Sequence, residues 1–170
     1  MFKRLLIKIK DFFVYDIKYG IRNLIRWFPI IWYDRNWDHY FIYRMLRYKL
    51  YLMEKHIRTF GHHVDHIRDA NKIRTCMLLL DRLIDDIHHD MAFKRYHEKW
   101  GRPDMHFVDS ESCPGFKRVE FTHENVKTEE DERLREKEYR FYLDAEDALK
   151  KQDLDMLFKL MRKHIESWWD

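Results

Sequence analysis

The stretch "HVDHIRDANKIRTCMLLLDRLIDDIHHD", residues 63–90, decides the fold. Its apolar side chains fall at Val64, Ile67, Ala70, Ile73, Met77, Leu80, Ile84 and Ile87. Those steps of three and four put all of them on one face of a 3.6-residue helix. Leu79 and Leu83 widen the stripe enough for a central helix. The spacing predicts a helix from about His63 to about Asp90, continuing through "MAFKRYHEKW" to a stop at Gly101 and Pro103.

The same period extends upstream. Phe2, Leu5, Leu6, Ile9, Phe12, Phe13, Ile17, Ile21, Leu24 and Phe28 form an amphipathic basic helix over residues 1–28. Pro29 should end it, because the residue before proline is pushed out of the α region. Gly20 weakens its middle by roughly 1 kcal/mol, which leaves open two helices in place of one. Asn36 is the expected N-cap of the next helix, with Asp38 in its first turn and Gly61 as its stop. The expected inward stripe there is Ile42, Met45, Leu46, Met53, Ile57 and Phe60, widened by Phe41 and Leu52.

Downstream, residues 102–127 hold two prolines, serines and a glycine, and read as an irregular loop or a short hairpin around "CPGF". Thr128 with Asp131 is a capping-box variant. It opens a helix striped by Leu134, Phe141, Ala145, Ala148 and Leu149. A last helix, 153–170, is expected to carry Leu154, Leu157, Phe158, Met161, Ile165 and Trp168 on one face. The fold class is all-α: a single-domain bundle, 1–170, of five or six helices.

Composition agrees. Hydrophobic residues are 45% of 170, enough for a core, and only 4 Gly and 3 Pro favour helices over turn-dense β architecture. Two cysteines, Cys76 and Cys113, are too few for a disulfide scaffold and suit a reducing cytoplasm. No run reaches the ~18 apolar residues of a membrane span. "MFKRLLIKIKDFF" is not read as a signal peptide, because Lys8 and Lys10 interrupt its apolar stretch. The first helix could lie on an anionic membrane surface. Its apolar face is expected to pack into the core or against another subunit. The 28 aromatic residues point to self-association, since they exceed what one small bundle usually hides. Trp168 and Trp169 are expected to dock on the bundle or at a subunit interface.

Charge is uneven. Residues 1–60 carry 13 Lys+Arg against 5 Asp+Glu, whereas residues 128–170 carry 9 against 13. The basic first third could attract an anionic partner or face the acidic last third. Within it, "WYDRNWDHYFIYRMLRYKL", residues 32–50, sets Tyr40, Arg44, Arg47 and, one turn on, Tyr51 along one helix face, with Arg35 upstream. Arg–aromatic rows bind phosphates and stack bases. They also cover ordinary helix contacts.

Two groups have metal-ligand chemistry. His62, His66 and Asp69 form one, and Asp85, Asp86 and His89 form the other, with imidazole and carboxylate about one helical turn apart. On one unbroken helix the span from His66 to His89 is roughly 35 Å, so the groups could not meet within a chain. The bland alternative is a solvated helix surface. No Gly-rich phosphate loop, H-E-x-x-H or G-x-S-x-G is present. Cys113 lacks a helix N-terminus behind it to activate it as a nucleophile. No cofactor is expected.

"DIKYGIRNLIRWFPIIWYDRNWDHYFIYRMLRYKL", "IRTCMLLLDRLIDD" and "DLDMLFKLMRKHIESWWD" together resemble a family of small uncharacterised proteins encoded by tailed bacteriophages. The resemblance implies a bacterial host cytoplasm and transfers no catalytic residue. The expectation is a non-enzymatic, homo-oligomeric accessory protein. It would hold an anionic partner (a nucleotide-type ligand, a nucleic acid or an acidic host protein surface), with a place in host takeover or defence evasion. The alternatives are a metal-dependent phosphohydrolase built on the His/Asp groups and a virion structural component.

Overall fold

The computed structural model describes residues 12–34 and 37–168. Among these lie five α-helices: α1 (Lys18–Ile31), α2 (Tyr40–Phe60), α3 (His66–Ile84), α4 (Ile87–Trp100) and α5 (Glu129–His164). A π-helical turn, Phe12–Ile17, precedes α1, and a 3-10 turn, Ile165–Ser167, follows α5. Strands β1 (Pro103–Asp109) and β2 (Lys117–His123) pair antiparallel as a two-stranded ribbon. The expected all-α class and the hairpin near "CPGF" are therefore both present. Two compact units are distinguished, Met1–Lys49 and Leu50–Asp170, dividing inside α2.

In the first unit, α1 runs through Pro29 instead of stopping before it. Proline removes one backbone donor and leaves the Ile25 carbonyl without its helical partner. Ile25 is 70% exposed, so water can take that carbonyl, and the Trp32 N–H still donates to the Phe28 oxygen at 3.0 Å. The helix has no buried residue, which overturns the expectation that its apolar stripe enters a core. Its attachment is on the other side. Trp27 packs edge-on against Tyr48 at 5.1 Å, and the Tyr48 hydroxyl donates to the Arg26 carbonyl at 2.9 Å. The expected N-cap Asn36 lies outside the described residues. The start of α2 is held by Asp38, whose Oδ1 accepts the Tyr40 N–H at 2.9 Å.

The buried face of α2 is Phe41, Leu50 and Ile57; Ile42, Met45 and Phe60, expected inward, are exposed. Gly61 ends the helix as expected. A Cβ there would collide with the Ile57 oxygen and come within 2.6 Å of the His66 Cβ, so the turn into α3 closes only around glycine.

In the second unit, α3 buries Ala70, Ile73, Cys76, Leu79, Leu80 and Leu83. Val64, outside the helix, is 99% exposed, and Ile67 is also exposed, so the apolar stripe begins one turn later than its spacing suggested. The expected continuous helix breaks at Asp85–Asp86. Asp86 takes φ 49°, a left-handed conformation that costs most residues roughly 1–2 kcal/mol and that aspartate tolerates better than most. The break separates α3 from α4, which buries His88, Phe93, Tyr96 and Trp100.

The expected boundary near Asp153 is absent: α5 is a single 36-residue helix, opened by the Thr128–Asp131 capping box. Pairings along it show its course. Tyr96 and Trp100 meet Arg135 and Glu138, Phe93 lies beside Tyr142, His89 meets Glu146, His88 meets Asp153 and Lys72 meets His164. Helix α5 thus runs back antiparallel along α4 and then α3. Phe93, Tyr96 and Trp100 form an aromatic core cluster with Ala92, Val126 and Tyr142 against it. The ribbon carries exposed Met105, Phe107, Val119 and Phe121 on one face.

Candidate functional site

The sequence candidates are distributed over both units. Tyr40, Arg44 and Arg47 lie on α2 in the first unit, and Tyr51 on the same helix in the second. Arg35 and Trp169 lie outside the described residues. Arg44 and Tyr51 are exposed and Arg47 half-buried; Tyr40 stacks at a tilt on His39, 4.2 Å between rings. Trp168 is buried within its own chain, in keeping with the first of its two expected placements, on the bundle.

The His/Asp groups find protein partners. The carboxylate of Asp86 meets Lys150 Nζ at 2.9 Å, and His89 Nδ1 donates to Glu146 Oε2 at 3.0 Å. Asp85 is exposed at the end of α3. Asp69 accepts from Lys72 Nζ at 2.8 Å and from His63 Nε2 at 3.3 Å. The His66 ring donates to the His63 carbonyl at 2.8 Å. Among the described residues no three His, Cys, Asp or Glu side chains are placed to hold a metal ion.

What these elements do build is a basic cleft of about 680 Å³ where the start of α3 meets the end of α5. Two segments 92 residues apart converge there, with Lys72 Nζ 3.4 Å from His164 Nδ1. Arg68, Lys72 and Lys163 line it with His62, His63 and His164, against two carboxylates, Asp65 and Asp69. Both carboxylates are engaged: Asp65 pairs with Arg68 at 2.7 Å, and Asp69 holds Lys72 and His63. Burial pushes the Asp69 carboxyl up, but its hydrogen bond and charge interaction with Lys72, joined by His63, hold it below the usual aspartate value. Among the described residues no carboxylate is ion-paired with Lys163. Desolvation first, and then the charges of Lys72 and Lys163, hold His164 below the ordinary imidazole range.

The α3 N-terminus adds partial positive charge, since its N-cap Asp65 makes no capping hydrogen bond. At the end of α5 the opposite partial charge is offset by Arg162, Lys163 and His164 in the last turn. A second groove of about 660 Å³ continues along α5 past Lys151 and Lys159 and shares Lys163 and His164 with the first.

A polar ladder fixes the helices that form this cleft. Asp153, 5% exposed, accepts from His88 Nε2 at 2.7 Å, and Arg82 Nε lies 2.7 Å from the same oxygen. Glu146 binds both Lys150 and His89; Glu138 binds both Lys99 and the Trp100 indole. Sequence reasoning passed over this ladder because its members occupy positions where a binary pattern looks for apolar side chains. The spacing Arg135, Glu138, Tyr142, Glu146, Leu149, Asp153, Leu157 could have marked the inner face. Burial pushes the Cys76 thiol up to about 11, so it is inert at neutral pH.

The sequence matches no protein-family model, and comparison with the curated proteins and with the solved structures finds no similar chain.

Proposed function

We propose that the protein is a binding protein for a phosphate-bearing, nucleotide-type anion, held in the cleft between the start of α3 and the end of α5. The observation that carries the reading is the convergence of Arg68, Lys72 and Lys163 with three imidazoles in one open cleft. The cleft acids already hold cations in place, which supports binding over catalysis. The groove past Lys151 and Lys159 gives a long or multiply charged phosphate chain room to extend. Capture of a host nucleotide signal is the role this reading gives to a phage accessory protein.

The mechanism is electrostatic and coupled to a proton. His164 is held neutral by its surroundings, and an arriving phosphate offsets the neighbouring cations. The anion therefore raises the affinity of the ring for a proton, and binding tightens as the solution is acidified from neutral pH.

Isothermal titration with a nucleoside triphosphate, inorganic triphosphate and a single-stranded oligonucleotide tests this. Arg68→Glu with Lys163→Glu should weaken binding at least tenfold with the melting temperature retained, and added salt should weaken the wild type. Equal affinity in the double variant, or no binding of any of the three probes below millimolar concentration, overturns the cleft as the site. Retained binding that is lost instead in Arg44→Glu with Arg47→Glu would move the site to α2.

A further inference from the structure

Helix α1 carries an apolar arc that no described residue covers. Ile21, Leu24, Ile25, Phe28, Ile31 and Trp32 stand at i, i+3, i+4, i+7, i+10 and i+11, one continuous face, and every one is exposed. The helix is fastened from its other side, through Trp27 and the Arg26 carbonyl. Single exposed apolar residues are ordinary, but a contiguous face of six large ones marks an interaction surface.

The charge around the arc selects its occupant. The segment 18–31 has Lys18, Arg22 and Arg26 and no Asp or Glu. Residues 1–17 add Lys3, Arg4, Lys8 and Lys10 against two acids, Asp11 and Asp16. A second copy laid on this face would bring like charges together. An acidic protein would match the charge but need not offer a broad apolar counterface. An anionic bilayer offers both: an acyl boundary for the arc and phosphate headgroups for the flanking cations. Exposed Trp32 and Tyr33 at the end of the helix are the aromatic types that settle at the headgroup level. At 14 residues α1 fits a helix lying in the interface, and no helix among the described residues is long and apolar enough to cross a membrane.

We propose that α1 docks the protein on an anionic lipid surface, lying in the plane of the interface with Ile21, Leu24, Ile25, Phe28 and Trp32 toward the acyl chains. This is independent of the cleft, which belongs to the other compact unit.

Co-sedimentation of the full chain with vesicles of phosphatidylglycerol and phosphatidylcholine, against phosphatidylcholine alone, tests it. The wild type should pellet with the anionic vesicles, at least tenfold less with the neutral ones, and less as salt rises. Leu24→Glu with Phe28→Glu should cut partitioning at least tenfold. Arg22→Glu with Arg26→Glu should remove the preference for anionic lipid. Because α1 buries nothing, these variants should melt with the wild type; should either fail to fold, Ile21→Ser with Leu24→Ser reads the same loss. Arg68→Glu with Lys163→Glu must keep vesicle binding, and inorganic phosphate must not compete for it. Wild-type protein left in the supernatant overturns the proposal. So does a dimer, seen by light scattering, that Leu24→Glu disperses in a protein with no vesicle affinity, since the face then belongs to a second copy.

Discussion

The two compact units use large apolar side chains in opposite ways. In the first, α1 turns its apolar face to solvent and is fastened through Trp27, Tyr48 and one backbone carbonyl. In the second, α3 and α4 bury their apolar stripes and α5 closes over them with a row of charged side chains. A strong helical period therefore reports amphipathicity and leaves open what covers the apolar side. The second unit adds that a buried helix face can be charged when every charge has a partner.

Substitution should separate the units most sharply. Ile73 on α3 is wholly buried, and Leu24 on α1 is 67% exposed. Ile73→Asp places a carboxylate where neither water nor a cation can reach it, a cost of several kcal/mol against a total stability of roughly 5–15 kcal/mol. Thermal unfolding followed by circular dichroism should show that variant unfolded or melting far below the wild type. Leu24→Asp should melt within a few degrees of it, as surface changes usually stay within about 0.5 kcal/mol. Equal losses in both would mean that α1 is packed against something in the folded state, and the contrast between the units would collapse.

The next effect probes the ladder. Asp153 is shared by His88 and Arg82, and His88 is wholly buried with no partner for Nδ1 among the described residues. Asp153→Ala removes the shared acceptor and leaves both groups without it, which should cost about 3–5 kcal/mol. His88→Leu with Asp153→Leu should recover much of that loss by replacing the polar contact with an apolar one. A double variant no more stable than Asp153→Ala would show that Asp153 serves chiefly to hold Arg82.

How much of this was legible in the sequence follows from the same contrast. The helices, the Gly61 stop, the Thr128 cap and the ribbon were readable because each rests on local chemistry: a period, a close approach, a hydrogen-bonding pair. The break at Asp86 was not, because its left-handed backbone gives no signal in a residue that also sits comfortably on helix surfaces. The inner face of α5 was hidden because Glu138, Glu146 and Asp153 look like solvated positions until His89, Trp100 and His88 are brought beside them. Part of the cleft was visible as His62 and Asp69, whereas His66, the third member of that group, does not line it. The cleft's other half, Lys163 and His164, comes from a segment 92 residues away, brought there by the antiparallel return of α5 along α4 and α3.

The smallest effect at neutral pH is also the most specific to the second unit. Burial pushes the Glu146 carboxyl up, but hydrogen bonds from Lys150 and His89 outweigh that and hold it below the ordinary glutamate value. Glu138 is likewise lowered, chiefly by Lys99. A carboxylate whose folded pKa lies below its unfolded one stabilises the fold at every pH above the unfolded value, here 4.5. That contribution is lost as pH falls through the folded value, where the native state must also take up the proton. Stability should therefore be flat above pH 4.5 with respect to these two groups and decline below it. Glu146→Gln removes one of the carboxylates, so its stability should be lower at neutral pH and fall less steeply on acidification. Melting temperatures of the two proteins, measured from pH 7 downward, should converge. Hydrogen exchange at pH 4 should place the weakened amides in α4 and α5, with those of α1 exchanging at the same rate in both proteins once the intrinsic pH dependence is removed. Parallel melting curves for wild type and Glu146→Gln across the whole range would mean that the Lys150–Glu146–His89 contacts contribute nothing to stability, and that the charged face of α5 is held by Asp153 and Glu138 alone.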